Sequence, residues 1–415
     1  MPILSAAEAR ALMLDFGRVA LAAAHPAGRF AGRLPKPPRG RTIVVGAGKA
    51  AASMAAAFED AWQAPVEGLV VTRYGHACPT RAIEVVEAAH PVPDAAGRQA
   101  AARIMDLVGS AGPEDLVVAL ISGGASALLT APAAGIDFAE KQALTGALLR
   151  SGADIRAMNC VRRALSGIKG GRLAALSRAP VVTFLISDVP GDDPVAIGSG
   201  PTVPAPDGPD EALAVLDAYG IAITDAMKAA IRANPPPRFK AGPLHMLASG
   251  RTVLDAVGSA AREQGLQVLD LGDHIEGEAR EVAKVMAGVA RSIRAAARPL
   301  APPALILSGG ETSVTVRGDG RGGRNAEFLL ALALALGPEG AHAFALDTDG
   351  IDGMEDNAGA VIDPDTLVRA RAAGLDPAAR LAANDAYSVF AALGDLVVTG
   401  PTLTNVNDVR AILVL

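Results

Sequence analysis

The chain of 415 residues is longer than a single hydrophobic core usually grows, which predicts two domains. Half of the residues are hydrophobic, 20% are charged and the formal net charge is −6, which excludes a disordered polymer and a basic nucleic-acid-binding surface. Cys78 and Cys160 stand in no metal-binding spacing, which excludes a disulfide scaffold and a zinc site and favours the cytoplasm.

The first predicted element is a helix over the N-terminal twenty residues. Its apolar periodicity is interrupted by charged residues such as Glu8 and Asp15, so it indicates an amphipathic helix and not a signal peptide. An uncharged run over 116–136 is broken by Ser122, two glycines and Pro132, which argues against a membrane-spanning helix. We therefore expect no membrane partner.

Strands and helices then alternate, which predicts a parallel sheet covered on both faces. We expect strands near 42–46, 67–72, 83–88, 115–121 and 180–186, and helices near 49–62, 95–109, 137–151, 154–166 and 171–177. Three consecutive prolines in the segment 234–243 mark a candidate boundary, giving an N-terminal domain over 1–235 and a C-terminal domain over 236–415.

The alternation resumes after that boundary. Strands are expected near 244–248, 266–271, 303–308, 312–317, 341–346 and 409–415, with helices near 251–264, 276–296 and 324–337. The predicted fold class is two α/β domains, the first a Rossmann-like three-layer domain with a parallel sheet and the second a smaller α/β unit, with a cleft between them.

The turn Gly46-Ala47-Gly48-Lys49 follows a strand and opens a helix, a position that favours a bound anion. It matches a dinucleotide fingerprint weakly, because Thr72 stands where a ribose-binding acid is needed, and it lacks the spacing of a Walker loop. A lysine at a helix start is disfavoured by the dipole, so Lys49 indicates contact with phosphate or carboxylate; the alternative is a solvated lysine.

Two Ser-Gly-Gly segments follow predicted strands and could form backbone nests for phosphate oxygens or a carboxylate. They comprise Ser122, Gly123 and Gly124, with Ser126 nearby, and Ser308, Gly309 and Gly310. The first is not a Gly-x-Ser-x-Gly elbow, which argues against a serine hydrolase. The repeated order suggests two related halves, although short glycine turns recur by chance in α/β proteins.

A basic segment over 159–176 places Asn159, Arg162, Arg163 and Ser166 on one helical face, with Lys169 and Arg172 following. An anionic ligand and a solvated or domain-bridging surface explain that face equally well.

The loop over 187–206 is long for a compact domain and rich in proline, which indicates an ordered functional loop. Asp188, at the expected strand tip, is well placed as a general base or a Mg²⁺ ligand.

The last two motifs belong to the predicted C-terminal domain. Arg324, in a glycine-rich loop before a helix, is the candidate phosphate-binding arginine, with Asn325 beside it as a candidate cofactor-binding residue. The acidic stretch over 347–357 lacks the final acid of a calcium loop, but Asp347 and Asp349 could bind Mg²⁺.

These motifs together suit phosphoryl transfer, in which the protein positions the substrates and neutralises charge. They supply one lysine, one arginine, glycine-rich anion-binding turns and carboxylates at the ends of strands. The segments VVGAGKAAASMA, ISGGASALL, NCVRRALSGIKGGRLA, ISDVPGDDPVAIGSGPT, ILSGGETSVTVRGDGRGGRNAEF and DTDGIDGMEDNAGA resemble the class II glycerate kinase family, some of whose members carry the label "putative hydroxypyruvate reductase". The matching segments span residues 42–408.

The resemblance implies phosphorylation of D-glycerate to 2-phosphoglycerate by ATP with Mg²⁺, with Lys49, Asp188 and Arg324 as essential residues. The expected partners are therefore these small molecules, and a homodimer is the assembly to test. Two other readings stay open: an NAD(P)H-dependent hydroxypyruvate reductase, and a non-catalytic sensor of a sugar acid or nucleotide.

Overall fold

The computed structural model describes residues 4–415, which form two compact units. The inserted unit is residues 26–247, and the terminal unit combines residues 4–25 with residues 248–415. Within residues 4–415, no helix has both the length and the apolar character needed to cross a membrane.

The strands and helices are numbered in chain order. The strands are β1 Thr42–Ala47, β2 Glu67–Arg73, β3 Ile83–Ala88, β4 Leu116–Ser122, β5 Val181–Ile186, β6 Leu244–Ala248, β7 Gln267–Asp270, β8 Gly277–Glu278, β9 Ala304–Gly310, β10 Thr312–Ser313, β11 His342–Asp347, β12 Gly359–Ile362, β13 Leu396–Val397 and β14 Asp408–Val414. The helices are α1 Ala6–Ala24, α2 Ala51–Ala61, α3 Ala95–Ser110, α4 Ala125–Leu128, α5 Phe138–Arg150, α6 Ile155–Ala164, α7 Arg172–Ala175, α8 Pro209–Ala218, α9 Asp225–Arg232, α10 Gly250–Glu263, α11 Ala279–Ala296, α12 Arg324–Leu336, α13 Thr366–Ala372, α14 Pro377–Ala382 and α15 Ala386–Leu393. Short 3₁₀ turns lie at Ile197–Ser199 and Gly337–Glu339.

Side-chain caps explain where several of these helices begin. A carboxylate or hydroxyl oxygen accepts a backbone N–H of the first turn, which satisfies a donor that the helix itself leaves open. The capping residues are Ser5, Asp94, Asp137, Asp154 and Thr224.

The inserted unit is built on a six-stranded sheet in the order β3-β2-β1-β4-β5-β6. Strands β1 to β5 pair in parallel, and the register sets Ala47 of β1 beside Ile121 of β4 and Ser122 of β4 beside Ile186 of β5. The order is that of doubly wound α/β sheets, and it brings the carboxyl ends of β1, β4 and β5 to one edge. The predicted α/β class is confirmed, and this edge holds the predicted motifs of the first half.

The terminal unit is built on a mixed sheet in the order β13-β12-β11-β14-β9-β7. Only the β7–β9 pair is parallel; the pairs involving β11, β12 and β14 are antiparallel. The strand directions therefore differ from those of the first sheet, because β11 and β12 are joined by a short acidic loop and not by a crossover helix. The core of this unit lies between helices α11 and α12 and the sheet.

The boundaries of the two units differ from the predicted boundary at residue 235. Helix α1 belongs to the terminal unit, where its buried face includes Met13 and Phe16 and where Arg10 bonds to Asp395 at 2.8 Å. The proline-rich loop does not end the first unit, because the backbone of Pro243 accepts from Thr183 of β5 and leads into β6. The amphipathic pattern of α1 predicts that one face of the helix is buried, but it does not indicate which of the two units covers that face.

Candidate functional site

The GAGK turn is locked against the end of β4 in the inserted unit. Gly48 has φ +135°, and a Cβ there would lie 2.1 Å from the Ser122 hydroxyl, so only glycine fits. The Ser122 hydroxyl accepts from the backbone of Ala50 at 3.1 Å, and the backbone N–H of Lys49 donates to the carbonyl of Gly123 at 2.8 Å. These bonds fix the half-buried Lys49 beside the first Ser-Gly-Gly turn.

The same turn carries the predicted carboxylate. A Cβ on Gly123 would lie 1.9 Å from Oδ2 of Asp188, so the carboxylate rests directly against this glycine. A Cβ on Gly124 would lie 3.3 Å from Cγ of Lys49 and 3.2 Å from Nε2 of His90. The structure therefore brings Lys49, Asp188 and the turn together, as the position of their motifs after neighbouring parallel strands predicted.

His90 is a member of this group that the sequence reasoning missed. It stands in no motif, but it follows β3 by two residues and so belongs to the same carboxyl edge of the sheet. That position was the available signal. An imidazole here can donate or accept a proton near neutral pH.

The contact between Gly123 and Asp188 gives a direct prediction. We expect Gly123→Ala to displace the Asp188 carboxylate and to lower kcat by about 10²-fold or more, since a shift of about 1 Å is enough for such a loss. Gly109→Ala is the matched control, because a Cβ on this helical glycine meets nothing within 4 Å. Steady-state kinetics that show equal kcat values for both variants would contradict the contact's importance.

Ser126 joins the turn to the long loop that follows β5. Its hydroxyl lies 2.6 Å from that of Ser199, which donates to Oδ1 of Asn159 at 3.2 Å. Ser199 has φ +61°, a conformation that a non-glycine residue holds only when its surroundings fix it. The loop is thus tied down across α4 and α6, in agreement with the order expected from its prolines.

Most of the predicted basic face is committed to internal contacts. Arg163 forms a bidentate ion pair with Asp207, with Nε to Oδ1 at 2.9 Å, and Arg172 donates to the side chain of Asn234 at 3.0 Å. Both arginines are buried. Both a free anion-binding side chain and a solvated one are therefore wrong for Arg163, because the carboxylate of Asp207, 44 residues along the chain, already pairs with it.

Lys141 and Lys169 are buried cations of the same unit. Burial, and secondarily the charge of Arg162, lowers the pKa of Lys141 to about 7. Burial, with the charges of Lys141 and Arg162, also holds the pKa of Lys169 well below its ordinary range.

The lowered pKa of Lys141 predicts a pH-dependent stability. An unfolded lysine binds its proton up to pH ~10.4 and the folded one only to about 7, so stability is lost progressively as pH falls from about 10 towards 7 and levels off below that. We expect the free energy of unfolding of the wild type, relative to Lys141→Met, to rise by about 3–5 kcal/mol between pH 7 and 10. Urea unfolding of both proteins tests this; a difference that stays constant with pH would refute it, and the exposed Lys228→Met provides the reference.

In the terminal unit, Arg324 lies at the start of α12 as predicted. Its guanidinium donates to Oδ1 of Asp408 at 3.0 Å, to Oδ2 of Asp347 at 2.7 Å and to Oε1 of Glu311 at 2.5 Å. Burial alone would lower the pKa of Arg324, but the charges of Asp408, Asp347 and Glu311 outweigh it and raise that pKa. Arg324 is therefore a fixed, permanently charged group surrounded by three carboxylates.

Asn325 lies in the capped first turn of α12. The carboxylate of Asp352 accepts from the backbone of Asn325 at 2.9 Å and of Ala326 at 2.8 Å, which caps the helix. The side chain of Asn325 is fully buried and donates to Asp408 at 2.8 Å. These bonds place Asn325 in a buried hydrogen-bond network with Asp352 and Asp408. Its contact with a cofactor remains a prediction.

The second Ser-Gly-Gly segment is not a turn, and that expectation is wrong. Ser308, Gly309 and Gly310 lie inside β9 and pair with β14. The Ser308 hydroxyl is buried 3.9 Å from the sulfur of Met286, and the carbonyl of Gly309 accepts from Arg410 at 3.2 Å. The likeness to residues 122–124 therefore stops at the sequence, because glycine fits a strand beside a close backbone as well as a turn.

Asp347 is the last residue of β11, Asp349 follows the strand, and both are buried. Oδ1 of Asp347 accepts from the backbone of Asp349 at 2.9 Å, and Oδ1 of Asp349 accepts from Ile351 at 2.9 Å. Among residues 4–415, no group of three or more His, Cys, Asp or Glu side chains is arranged to hold a metal ion. The magnesium site at this pair remains a prediction.

A pocket of about 610 Å³ opens beside Arg324 in the terminal unit. Its walls combine apolar side chains, carboxylates and the glycine-rich loop that precedes α12. They include Glu276, Glu311, Val314, Val316, Gly322, Gly323 and Met354. Its volume is that of a small-molecule site.

Comparison with known proteins agrees with this architecture. Two family models match: Domain of unknown function (DUF4147) over residues 12–233, and the MOFRL family over residues 304–408. An Agrobacterium vitis protein named "Putative hydroxypyruvate reductase" is 52% identical, covering 98% of this chain and 95% of its own length. The D-glycerate 2-kinase of Thermotoga maritima is 41% identical, covering 90% of this chain and 91% of its own length.

A solved structure matches as well. The crystal structure of a glycerate kinase from Thermotoga maritima superposes with a TM-score of 0.91 at 38% identity, covering 98% of this chain and 99% of that one. The fold and these matches define a two-unit α/β kinase. The chain belongs to the glycerate kinase family, which confirms the resemblance seen in its motifs.

Proposed function

We propose that this protein is a glycerate 2-kinase, which transfers a phosphoryl group from ATP to the 2-hydroxyl of D-glycerate. The observation that carries the proposal is the grouping of Asp188 and Lys49 around the Gly123–Gly124 turn. A carboxylate next to a cation on a rigid turn is what an acceptor hydroxyl and a charged phosphoryl group require. The name of the 41% identical relative from Thermotoga maritima, D-glycerate 2-kinase, supports the choice of substrate.

Each residue has a proposed role. Asp188 accepts the proton of the acceptor hydroxyl as the new phosphorus–oxygen bond forms and the bond between the γ-phosphorus and the oxygen that leaves with ADP breaks. Lys49 neutralises charge on the phosphoryl group or on the acid substrate, and its backbone bond to Gly123 keeps it in place. Arg324 offers a second fixed cation whose orientation three carboxylates determine.

The terminal unit has groups that fit nucleotide and metal. Mg²⁺ needs only one or two protein carboxylates beside phosphate oxygens, so Asp347 and Asp349 would suffice as its ligands. Bound Mg²⁺ would supply charge neutralisation on the phosphate oxygens. We propose that the nucleotide binds in the pocket beside Arg324. The volume of this pocket and its mixed apolar and polar lining suit a nucleoside.

The reductase reading rests on the name of the Agrobacterium vitis relative and on His90, which could serve as a proton donor. It lacks a ribose-binding acid at the end of β2. Thr72 stands there, buried, with its hydroxyl donating to the carbonyl of Lys49 at 3.3 Å. Because a ribose hydroxyl pair is usually held by a carboxylate at this position, kinase chemistry is the better supported proposal.

One assay separates these readings. Purified protein is given D-glycerate, ATP and Mg²⁺ with an enzymatic ADP readout, and separately hydroxypyruvate and NADH with absorbance recording. We expect ADP release that depends on D-glycerate, and no oxidation of NADH. NADH oxidation without ADP release would replace the kinase with the reductase, and binding without either reaction would favour the sensor.

We further propose a cytoplasmic location, which the free thiols of Cys78 and Cys160 support. The homodimer expected at the outset is tested by light scattering of the purified protein.

A further inference from the structure

Two buried lysines of the inserted unit, Lys141 and Lys169, donate to the carbonyls of Ala131 and Leu129, which are two residues apart in the chain, and the charge of Arg162 acts on both. Lys141 lies on α5, Arg162 on α6 and Lys169 between α6 and α7. Lys141 is 6% exposed and Lys169 is 1% exposed, while Arg162 is half-buried. Within residues 4–415, none of these three side chains forms an ion pair with a carboxylate, as the salt bridges of the described chain involve other cations.

The contacts of Lys141 leave most of its capacity unused. Its ammonium carries three donors and makes one hydrogen bond, to the carbonyl of Ala131 at 3.2 Å. That carbonyl already accepts from the backbone of Gly167 at 3.0 Å and from the Ser166 hydroxyl at 3.3 Å. Lys141 is therefore not needed to satisfy the carbonyl it touches.

Arg162 and Lys169 complete the cluster. Arg162 makes one long contact, from Nη1 to Oδ1 of Asn159 at 3.5 Å, and Lys169 donates to the carbonyl of Leu129 at 2.7 Å. The neighbouring Arg163, by contrast, is paired with Asp207. The fold thus supplies an acid for Arg163 and a side-chain amide for Arg172, but neither for Lys141, Arg162 or Lys169 among the contacts of residues 4–415, apart from the long contact of Arg162 with Asn159.

Burying ammonium groups without an anion is costly, so such groups either lose their protons or take a counter-ion. The lowered pKa values of Lys141 and Lys169 express this cost in the unliganded chain. An arginine keeps its charge in ordinary conditions, so deprotonating the two lysines would still leave Arg162 without an acidic partner. An anion placed among the three would remove the repulsion.

The cluster is also connected to the candidate active site. Arg162 contacts Asn159, which accepts from Ser199, and the Ser199 hydroxyl lies 2.6 Å from that of Ser126 on α4. Helix α4 begins directly after Gly124 of the turn that holds Lys49 and Asp188. Leu129 and Ala131, whose carbonyls the two lysines hold, follow the same short helix.

We propose that Lys141, Arg162 and Lys169 form a subsite that binds the anionic oxygens of a substrate, either a carboxylate or a phosphate. The subsite deepens the proposed function and rests on it only for the identity of the ligand. For a glycerate kinase, these anionic oxygens would belong either to the carboxylate of D-glycerate or to a phosphate of ATP. Charge-assisted hydrogen bonds from two or three cations would give the subsite its affinity.

The test is calorimetric binding to the full chain, which does not require turnover. D-glycerate and a non-hydrolysable ATP analogue with Mg²⁺ are titrated separately into the wild type, Lys141→Met and Arg162→Met. Lys228→Met is the matched control, an exposed lysine of the same unit whose ammonium pairs with Asp225. Urea unfolding at pH 7 accompanies each titration, so that folded protein is compared with folded protein.

We expect Lys141→Met and Arg162→Met each to weaken the binding of one of the two ligands by roughly tenfold or more, because each variant loses a charged hydrogen bond. The affinities of Lys228→Met should equal those of the wild type. Weaker D-glycerate binding identifies a carboxylate subsite, and weaker analogue binding a phosphate subsite. Unchanged affinity for both ligands in folded variants overturns the proposal. Ligand binding that is lost in the variants while the wild type shows no ADP release would retain the subsite and reject the kinase.

Discussion

Replacing Asp188 by asparagine is expected to lower kcat by about 10²- to 10⁴-fold, the usual contribution of a general base. The change is nearly isosteric, so the side chain can stay packed against Gly123 while losing its ability to accept a proton. We expect the KM values for both substrates to change little, because the proposed role lies in the reacting step. Steady-state kinetics with D-glycerate and ATP give both parameters.

Asp193→Asn is the matched control for this substitution. Asp193 lies in the same loop and is exposed, and its carboxylate accepts the local backbone N–H of Val195, which an asparagine oxygen can also accept. It should retain turnover close to that of the wild type. Comparable losses in both variants would mean that the loop as a whole, and not the Asp188 carboxylate, supports the reaction.

Replacing Arg324 by methionine is expected to abolish turnover and to destabilise the fold by about 3–5 kcal/mol, as breaking a buried ion pair does. The loss arises because Asp408 and Asp347 are buried and would lose the cation that pairs them. Asp408 keeps Arg410 at 2.7 Å, whereas Asp347 loses its ion pair with Arg324. Urea unfolding and the ADP assay measure the two effects separately.

Arg321→Met provides the comparison for Arg324. Arg321 lies in the same glycine-rich loop, but its side chain is exposed, pairs with the half-buried Glu355 and lies over the ring of Tyr387. Such a pair is worth about 0–1 kcal/mol, so this variant should unfold almost as the wild type does. An Arg324→Met protein with full stability and full turnover would show that the carboxylates around it do not depend on its charge.

The fold of the inserted unit could be predicted from the sequence, because the alternation of strands and helices is a local pattern along the chain. Apolar runs alternate with helices, and parallel strands end at one edge, so the motifs after β1, β4 and β5 were expected to meet. That reasoning placed Lys49, Gly123 and Asp188 together. His90 escaped it because a single histidine after a strand has no distinguishing spacing.

Other features could not be predicted because they depend on partners far along the chain. Gly309 and Gly310 are expected in a turn from the sequence, but antiparallel pairing with β14 extends the strand through them. The sequence pattern also leaves Arg163 available to bind an anion, because its ion-pair partner Asp207 lies 44 residues along the chain. The unpaired charge of Lys141 was also invisible, since a lysine in an amphipathic helix ordinarily faces solvent and only packing shows that this one does not.

The most direct test of the central claim identifies the reaction product. The purified protein is incubated with D-glycerate, ATP and Mg²⁺, and the phosphorylated product is analysed by proton-coupled ³¹P NMR. A phosphate ester at the 2-position splits its phosphorus signal by the single proton on C2, and we predict this doublet together with an equal amount of ADP. A triplet from an ester at C3, or no new phosphate ester in the presence of folded protein, would contradict the assignment as a glycerate 2-kinase.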